Sequence, residues 1–369
     1  MNLLTLNAGS SSIKFALFDE IAGFTTPQQA GQIEGLGATG VTHDAALQQV
    51  LARLGGAQVK AVGHRIVHGG ADFAGPALID DTVFARISAL QDLAPLHQPH
   101  NLAGVRAARL AFPGVPQVAC FDTAFHRCQP ELNQRFALPQ ALFDEGVRRY
   151  GFHGLSYESI LLQLHALDPA AAMGRIVIAH LGNGSSLCAM AQGRSVATTM
   201  SFSPLDGLPM GTRCGRIDAA VVLYLLRHGR TAEQVSQLLH HESGLLGLSG
   251  LSSDMRELSN ANTESARRAV DYLVEHLRRE LAGMAAALRG IDMLVFTGGI
   301  GENAAELRAR VIEGAAWMGL ALDSAANGSG RGLVSAAHSA VQIRVLRTNE
   351  EAVIAGHTAR IALAGPSTC

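Results

Sequence analysis

The sequence predicts an α/β protein of two similar domains, and three observations carry that expectation. Its 369 residues, 48% hydrophobic and 16% charged, are enough for two buried cores. An apolar strand, a Gly/Ser turn and a second apolar strand open the chain at Leu3–Phe18, with the turn at Asn7-Ala8-Gly9-Ser10-Ser11-Ser12. The same design returns at Arg175–Met190, where Gly184-Ser185-Ser186 aligns with Gly9-Ser10-Ser11 at an offset of 175 residues (184 minus 9). Two such hairpins about half a chain apart point to an internal duplication, and hence to two related domains rather than a solenoid. Small residues in both turns let backbone N–H groups approach a ligand closely. Two domains of this kind facing each other across a cleft form an architecture for holding a nucleotide.

Composition narrows the partners. A formal charge of −2 argues against nucleic acid, which demands a basic face. Positive charge is carried almost wholly by arginine, so Lys14, inside the first hairpin, is conspicuous. Cys120, Cys128, Cys188, Cys214 and Cys369 form no CxxC pair and no even framework, as expected of reduced thiols in the cytoplasm. No apolar run is long enough to span a bilayer, and no secretory signal is evident, so no membrane role is expected.

In the first half, Gly31 to Gly40 reads as a glycine-dense loop. A helix follows at His43–Leu54 with Ala46, Val50, Leu51 and Leu54 on one face. Val59–Gly70 reads as a buried strand running into a polar loop, the kind of strand end where α/β proteins place functional groups. There Arg65 is a candidate anion ligand, whereas His64 and His68 lack the helix and acidic partner that a metal pair needs. Helices are expected over 82–96 and 101–112, separated by a loop at 95–100. The strand 116–121 then delivers Asp122, which suits a magnesium or catalytic carboxylate and equally a helix N-cap. His153 lies between glycines just ahead of a helix, and the domain boundary is expected within 121–155.

In the second half, a β-rich run over 196–202 precedes a long Gly- and Pro-studded loop at 203–216, whose length marks it as functional and which carries Arg213. Helices are expected over 217–228 and 231–241, with an N-capped start at Ser252–Glu257. The longest helix, 264–289, has Val270, Leu273, Val274, Leu277, Leu281, Met284 and Leu288 at three- and four-residue spacings, a stripe that suits core or a subunit interface. Strand 292–296, the glycine loop 297–303 and a helix to 318 form an arrangement that presents N–H groups and a helix dipole to phosphate. The strand 341–346, a capped turn at 348–351 and a helix to 363 complete the chain.

Neither GxxxxGK[ST] nor the protein-kinase motifs occur. The chain instead resembles the acetate and propionate kinases of the acetate kinase family. The stretches that carry the resemblance are NAGSSSIKF, HRIVHGG, APLHQPHN, FDTAFH, YGFHGLS, HLGNGSS, MGTRCGRID, SSDMREL, FTGGIGEN and TNEEAVIA, in family order along essentially the whole chain. The resemblance implies the duplicated α/β fold shared with sugar kinases, actin and the seventy-kilodalton heat-shock chaperones. It also implies reversible transfer of the ATP γ-phosphoryl group to acetate, with magnesium or manganese as the ion and a homodimer as the assembly. The alternatives within its chemistry are propionate and butyrate. An actin- or chaperone-like ATPase switch, the reading from another class, has no need of two arginines beside a small apolar pocket.

The same resemblance assigns roles. Asn7 and Glu350 are the expected magnesium residues, and Lys14 the contact to nucleotide phosphates. Arg65 and Arg213 are expected to bracket the carboxylate and the phosphoryl group, with His153 donating to the phosphoryl oxygens and Asp122 as the catalytic carboxylate. His180, Leu181, Gly182, Asn183 and Gly184, then Asp254, Met255 and Arg256, then Gly299, Ile300, Gly301, Glu302 and Asn303 match the ATP-binding segments. Val67, Leu96, Phe152 and Pro204, with His97 beside them, match the acyl pocket. The expected domains are 1–121 plus 352–369, and 122–351. The chain departs from the family at Arg216, where an acidic residue is usual, and its loops between motifs are trimmed.

Overall fold

The computed structural model describes residues 2–21, 23–36 and 40–363. Two compact units divide the chain, Met1–Arg127, His153–Ser159 and Asn349–Cys369 in the first, Cys128–Phe152 and Ile160–Thr348 in the second. Relative to the division expected from sequence, three short segments join the first unit: 122–127, 153–159 and 349–351. Hydrogen bonds account for two of these placements. The Gly154 amide donates to the Asp122 carbonyl (2.9 Å), and the Asn349 amide donates to the Ser159 hydroxyl (2.8 Å).

In the first unit, strands β1 (Asn2–Ala8), β2 (Ser12–Asp19) and β3 (Gln29–Glu34) form an antiparallel meander. Helix α1 (His43–Leu54) follows, then β4 (Val59–Ile66), the two-residue β5 (Ala77–Leu78), α2 (Asp81–Ser88), α3 (Gln98–Ala111) and β6 (Gln117–Phe121). The sheet order is β3-β2-β1-β4-β6-β5, with β1, β4 and β6 parallel and β5 antiparallel at the edge. Alternation along β1 sends Leu4, Leu6 and Ala8 into a core with α1 and α3, where Ala46, Leu47, Val50, Ala107 and Ala108 meet them. The opposite face takes the C-terminal helix (Glu350–Leu363), whose Val353 and Ile354 pack on Val118 and Cys120 and whose Ala355 packs on Ala16 and Phe18. Gly63 of β4 permits this approach. A Cβ there would fall 2.2 Å from the Thr358 hydroxyl and 2.6 Å from Ile354.

In the second unit, the short helices α4 (Glu131–Gln134) and α5 (Gln140–Asp144) precede α6 (Gly154–Leu167), along which the chain passes from the first unit to the second. Strands β7 (Arg175–Leu181), β8 (Ser185–Ala191) and β9 (Arg194–Thr198) form another antiparallel meander. Helices α7 (Ala219–Arg227), α8 (Ala232–His241), α9 (Gly244–Ser249), α10 (Met255–Asn260) and α11 (Glu264–Leu288) lead to β10 (Met293–Thr297). Then come α12 (Gly298–Asn303), α13 (Ala305–Ala315), α14 (Ser324–Ser329), β11 (Gly332–Leu333) and β12 (Gln342–Val345). The sheet order is β9-β8-β7-β10-β12-β11, with β7, β10 and β12 parallel and β11 antiparallel at the edge. Strand for strand this repeats the first sheet, down to the two-residue edge strand. The α11 stripe from Val270 to Leu288 lies in the core of this unit, against β7, β8 and β9.

The duplication is real, but the offset read from the Gly-Ser-Ser triplets is not the structural one. Both strands of each hairpin start 173 residues apart (175 minus 2, and 185 minus 12), which places Gly182, not Gly184, where Gly9 stands. The first turn closes by Gly9 N–H to the Ser12 carbonyl and the second by Gly182 N–H to the Gly184 carbonyl, one residue shorter.

Other local expectations also shift. Residues 31–34, expected in a loop, belong to β3, and 37–39 of that stretch lie outside the described residues. In α1 the buried face takes Leu47 in place of Leu51. Helix α2 stops at Ser88 rather than 96, because the buried Gln98 side chain donates to the Ile87 carbonyl (3.2 Å) and caps it. Helix α3 begins at Gln98 with Pro99 in its first turn, where its missing N–H costs nothing. The glycine stretch after β10 is itself a helical turn, α12. Among the described residues no helix is long and apolar enough to cross a membrane.

Candidate active site

In the first unit, the carboxyl ends of the three parallel strands carry the polar residues. Asn7 lies one residue from the end of β1, Arg65 one residue from the end of β4, and Asp122 follows β6; parallel pairing sets Arg65 opposite Cys120. The Arg65 guanidinium forks onto Asp122, with Nε 3.1 Å from both carboxylate oxygens and Nη2 2.5 Å from Oδ2. Its Nη1 points to the Asn7 side-chain oxygen at 3.5 Å, and Glu350 lies 3.9 Å from Nε. Asp122 is 2% exposed at its side chain and Arg65 22%, so one partner is fixed while the other still reaches solvent. Asp122 therefore orients an arginine, as a charge-assisted bidentate pair does.

Burial by itself would lower the Arg65 pKa, but the carboxylates of Asp122 and Glu350 outweigh it and raise it. Glu350 is pushed up to about 7, first by burial and then by the charges of Asp122 and Glu351, with Arg65 and Lys14 pulling the other way. Glu350 is the first residue of the C-terminal helix, placed there by Asn349, whose side chain caps the Ala352 amide (3.1 Å). Lys14 is exposed on β2, directly opposite Asn7 in the antiparallel register.

His153 immediately precedes α6 with φ of 59°, a left-handed conformation that side chains other than glycine adopt at a cost of roughly 1–3 kcal/mol. The turn is held by the Gly154 bond to the Asp122 carbonyl and by the Tyr157 amide on the His153 carbonyl (3.1 Å). The strained histidine thus sits one residue from a contact to the backbone of the arginine's partner.

The loop after β4 is fixed at each step. Asn101, buried on α3, accepts from the Val67 amide (2.9 Å) and donates to the Ala8 carbonyl (2.7 Å), joining the ends of β4 and β1. The Gly69 amide donates to Thr123, and the His68 carbonyl accepts from Gln98. His64 and His68 are core groups rather than ligands. Burial lowers each pKa to about 4, His64 bonds Gln117 (2.9 Å), and His68 Nδ1 accepts from the Gly70 amide. Of the residues expected at the acyl group, Val67, Leu96 and His97 belong to the first unit, Phe152 and Pro204 to the second. Val67 is buried and Leu96 exposed.

In the second unit, the expected ATP segments gather at the carboxyl ends of β7 and β10. His180 and Leu181 end β7, Gly182–Gly184 form the turn, and α12 starts directly after β10. Gly298 makes the junction possible. Its φ is +79°, and a Cβ there would fall 2.6 Å from the Leu181 carbonyl. The turn of α12 is closed from within, by the Glu302 carboxylate accepting from the Gly298 amide (3.1 Å) and by Asn303 donating to the Gly299 carbonyl (2.8 Å). The arginine loop joins this end of the sheet through Gly211, whose amide donates to the Asn183 carbonyl (3.2 Å). Arg213 itself donates to the Pro204 carbonyl (3.2 Å). Asp254 caps α10 and pairs with the exposed Arg256 (2.6 Å); that pairing and the capped Arg256 amide lower the Asp254 pKa to about 2.

Arg216 has a partner of its own. It reaches Glu280 of α11 (3.0 Å), which interrupts the apolar stripe and is 11% exposed, whereas Arg216 is 64% exposed. Burial raises the Glu280 pKa, and Arg216 opposes that rise. Asn101 and Glu280 were not singled out in the sequence. Each is a polar residue on the buried face of a helix, and that was the available signal.

The comparisons with known proteins agree with this arrangement. An acetate kinase from Methylocella silvestris is 49% identical, with 96% of each chain covered. The crystal structure of Porphyromonas gingivalis acetate kinase superimposes with a TM-score of 0.89 at 36% identity, covering 98% of this chain and 99% of that one. A propionate kinase structure from Francisella tularensis gives 0.90 at 33% identity, with the same coverage. Residues 2–356 match the acetokinase family, and with two similar units of identical strand order, each carrying its polar groups at the ends of its parallel strands, the chain belongs to that family.

Proposed function

We propose that the protein transfers the γ-phosphoryl group of ATP reversibly to acetate, giving acetyl phosphate and ADP. The observation that carries this reading is the guanidinium of Arg65, locked on Asp122 at a strand end with Nη1 directed away toward Asn7. A carboxylate is a weak nucleophile and must approach an anionic phosphate, so fixed positive charge is the main requirement. Arg65 and Arg213 are the cations we assign to that role, with His153 donating to the phosphoryl oxygens. A carboxylic acid with a pKa near 4 is already ionised at neutral pH, so Asp122 has no proton to remove. Its role is to orient Arg65. Val67, Leu96, His97, Phe152 and Pro204 are the candidate contacts to the acyl group, and Lys14, the Gly182–Gly184 turn, Asp254–Arg256 and Gly299–Asn303 those to the nucleotide.

Asn7 and Glu350 fit a magnesium ion, or manganese in its place. Both offer hard oxygen donors, and such an ion is commonly held by one or two protein groups plus phosphates and waters. A Glu350 carboxyl pushed up to about 7 is one whose charge a nearby cation would offset. When bound, the ion would neutralise phosphate charge. A homodimer is supported by α7, none of whose side chains is buried although Val221, Leu223, Tyr224 and Leu226 lie on it, each 39–58% exposed. A cytoplasmic location fits Cys120, Cys128, Cys188 and Cys214 as free thiols.

The test is to trap acyl phosphate with hydroxylamine in the presence of ATP, magnesium and acids of one to four carbons. Acetate as the preferred acid supports the proposal; a preference for propionate or butyrate reassigns the acid, and no hydroxamate with any of them rejects it. Light scattering on the eluted protein reads the dimer.

A further inference from the structure

Among the described residues, Arg308 of α13 is the largest fully buried side chain, with 0% exposure, and no carboxylate pairs with it. Its guanidinium makes four hydrogen bonds instead. Nη1 donates to the carbonyls of Gly301 (2.9 Å) and Glu302 (3.0 Å), Nε to the Asn327 side-chain oxygen (2.8 Å) and Nη2 to the Asn327 carbonyl (2.7 Å). Desolvating a cation without a counter-charge is costly, and burial lowers its pKa accordingly. A fold that needed only packing there would place a leucine on the face that already carries Leu307, Val311 and Ile312.

What the cation grips is informative. Gly301 and Glu302 belong to α12, a single turn of six residues too short to be stable alone. Its carbonyl end is where a cation is favoured. Asn327, the other anchor, is held in α14 and donates its amide to the Ala305 carbonyl (2.9 Å). Arg308 thus ties the far end of the α12 turn to a separate helix, while Gly298 fixes its near end against β7. We infer that Arg308 is the positioning residue of the nucleotide segment, holding the 299–303 backbone in the shape that receives phosphate without touching the nucleotide itself. This rests on the proposed role of Gly299–Asn303 in binding ATP.

The test compares Arg308→Met, Arg308→Lys, Asn327→Ala and Asn327→Asp with wild type, measuring the Kd for magnesium–ADP by calorimetry and the carboxylate KM by hydroxamate rates. Losing hydrogen bonds to a charged group corresponds to about tenfold or more. The Kd should rise by that factor in Arg308→Met and in Arg308→Lys, whose point charge cannot span both anchors. The carboxylate KM should stay within about twofold of wild type. Asn327→Asp keeps both acceptors for Arg308 and gives up only the amide bond to the Ala305 carbonyl, so its Kd should rise less than that of Asn327→Ala. If Arg308→Met does not fold, Asn327→Ala carries the test, with a Kd raised by about threefold or more. An unchanged Kd in the folded variants overturns the inference, as does an equal loss of nucleotide and carboxylate binding. Absence of nucleotide binding by wild type rejects the role of α12, and with it this inference. Wild-type binding with unaltered variants rejects only the part given to Arg308.

Discussion

Asp122→Asn tests the centre of the mechanism. The substitution keeps shape but removes one charge and turns one of the two acceptors facing Arg65 into a donor. At about 4 Å and an effective dielectric near 20, the lost attraction is about 4 kcal/mol. Part is recovered, because Arg65 is 22% exposed and Glu350 stands 3.9 Å from its Nε. A net loss of about 2–3 kcal/mol corresponds to roughly 30- to 150-fold in kcat/KM for the carboxylate. Initial hydroxamate rates against acid concentration, at saturating ATP, measure it. The Kd for ADP should hold within about threefold, since Asp122 acts on Arg65 and is given no contact to the nucleotide. Raising magnesium should restore activity in part, because Glu350 remains to take the ion. Turnover within a few-fold of wild type would refute the orienting role, and full restoration by magnesium would move Asp122 from the arginine to the metal.

Arg213→Ala should lower kcat by about 10³-fold, and Arg213→Lys should not restore it, because an ammonium cannot make the planar two-point contact; both are read in the same assay. Val67→Ala should shift preference toward propionate and butyrate by about tenfold, the scale of one methylene in an apolar pocket, and an acid profile identical to wild type would remove Val67 from that pocket. Arg216→Asp sets an acid against the buried Glu280 and should lower unfolding stability by about 1–2 kcal/mol in urea while leaving the carboxylate KM unchanged. His64 and His68 are held neutral, with pKa values lowered to about 4, so the stability they contribute is complete above about pH 6.5 and is lost as pH falls toward 4. Each contributes on the order of 3 kcal/mol, and Glu350, raised, opposes with the other sign. A urea midpoint that falls between pH 7 and pH 5, and falls less in His64→Gln, is the expected result.

Much of this was legible because it depends on local pattern. The hairpins, the α11 stripe and the strand ends carrying Asn7, Arg65 and Asp122 follow from apolar runs and the turns that punctuate them. What the sequence concealed depends on partners far along the chain. Asn101 reads as one more polar residue near a helix start until β1 and β4 bring Ala8 and Val67 to it. Arg308 reads as a solvent-facing arginine until α12 and α14 surround it. The left-handed φ of His153 has no sequence signal apart from its glycine neighbours. The triplet offset misled for a related reason, since identity of three small residues says nothing about which of them closes the turn.

The C-terminal helix that covers one face of the first sheet has a consequence for synthesis on the ribosome. The sheet is complete once Phe121 has emerged, yet the helix that shields Ala16, Phe18, Val118 and Cys120 is translated only after the whole second unit. At 5–20 residues per second, that face waits on the order of ten seconds to a minute while the second unit is made. Nascent chains halted before Asn349 should therefore carry a folded second unit beside a first unit that exposes apolar strands, and it is this intermediate that chaperones would bind.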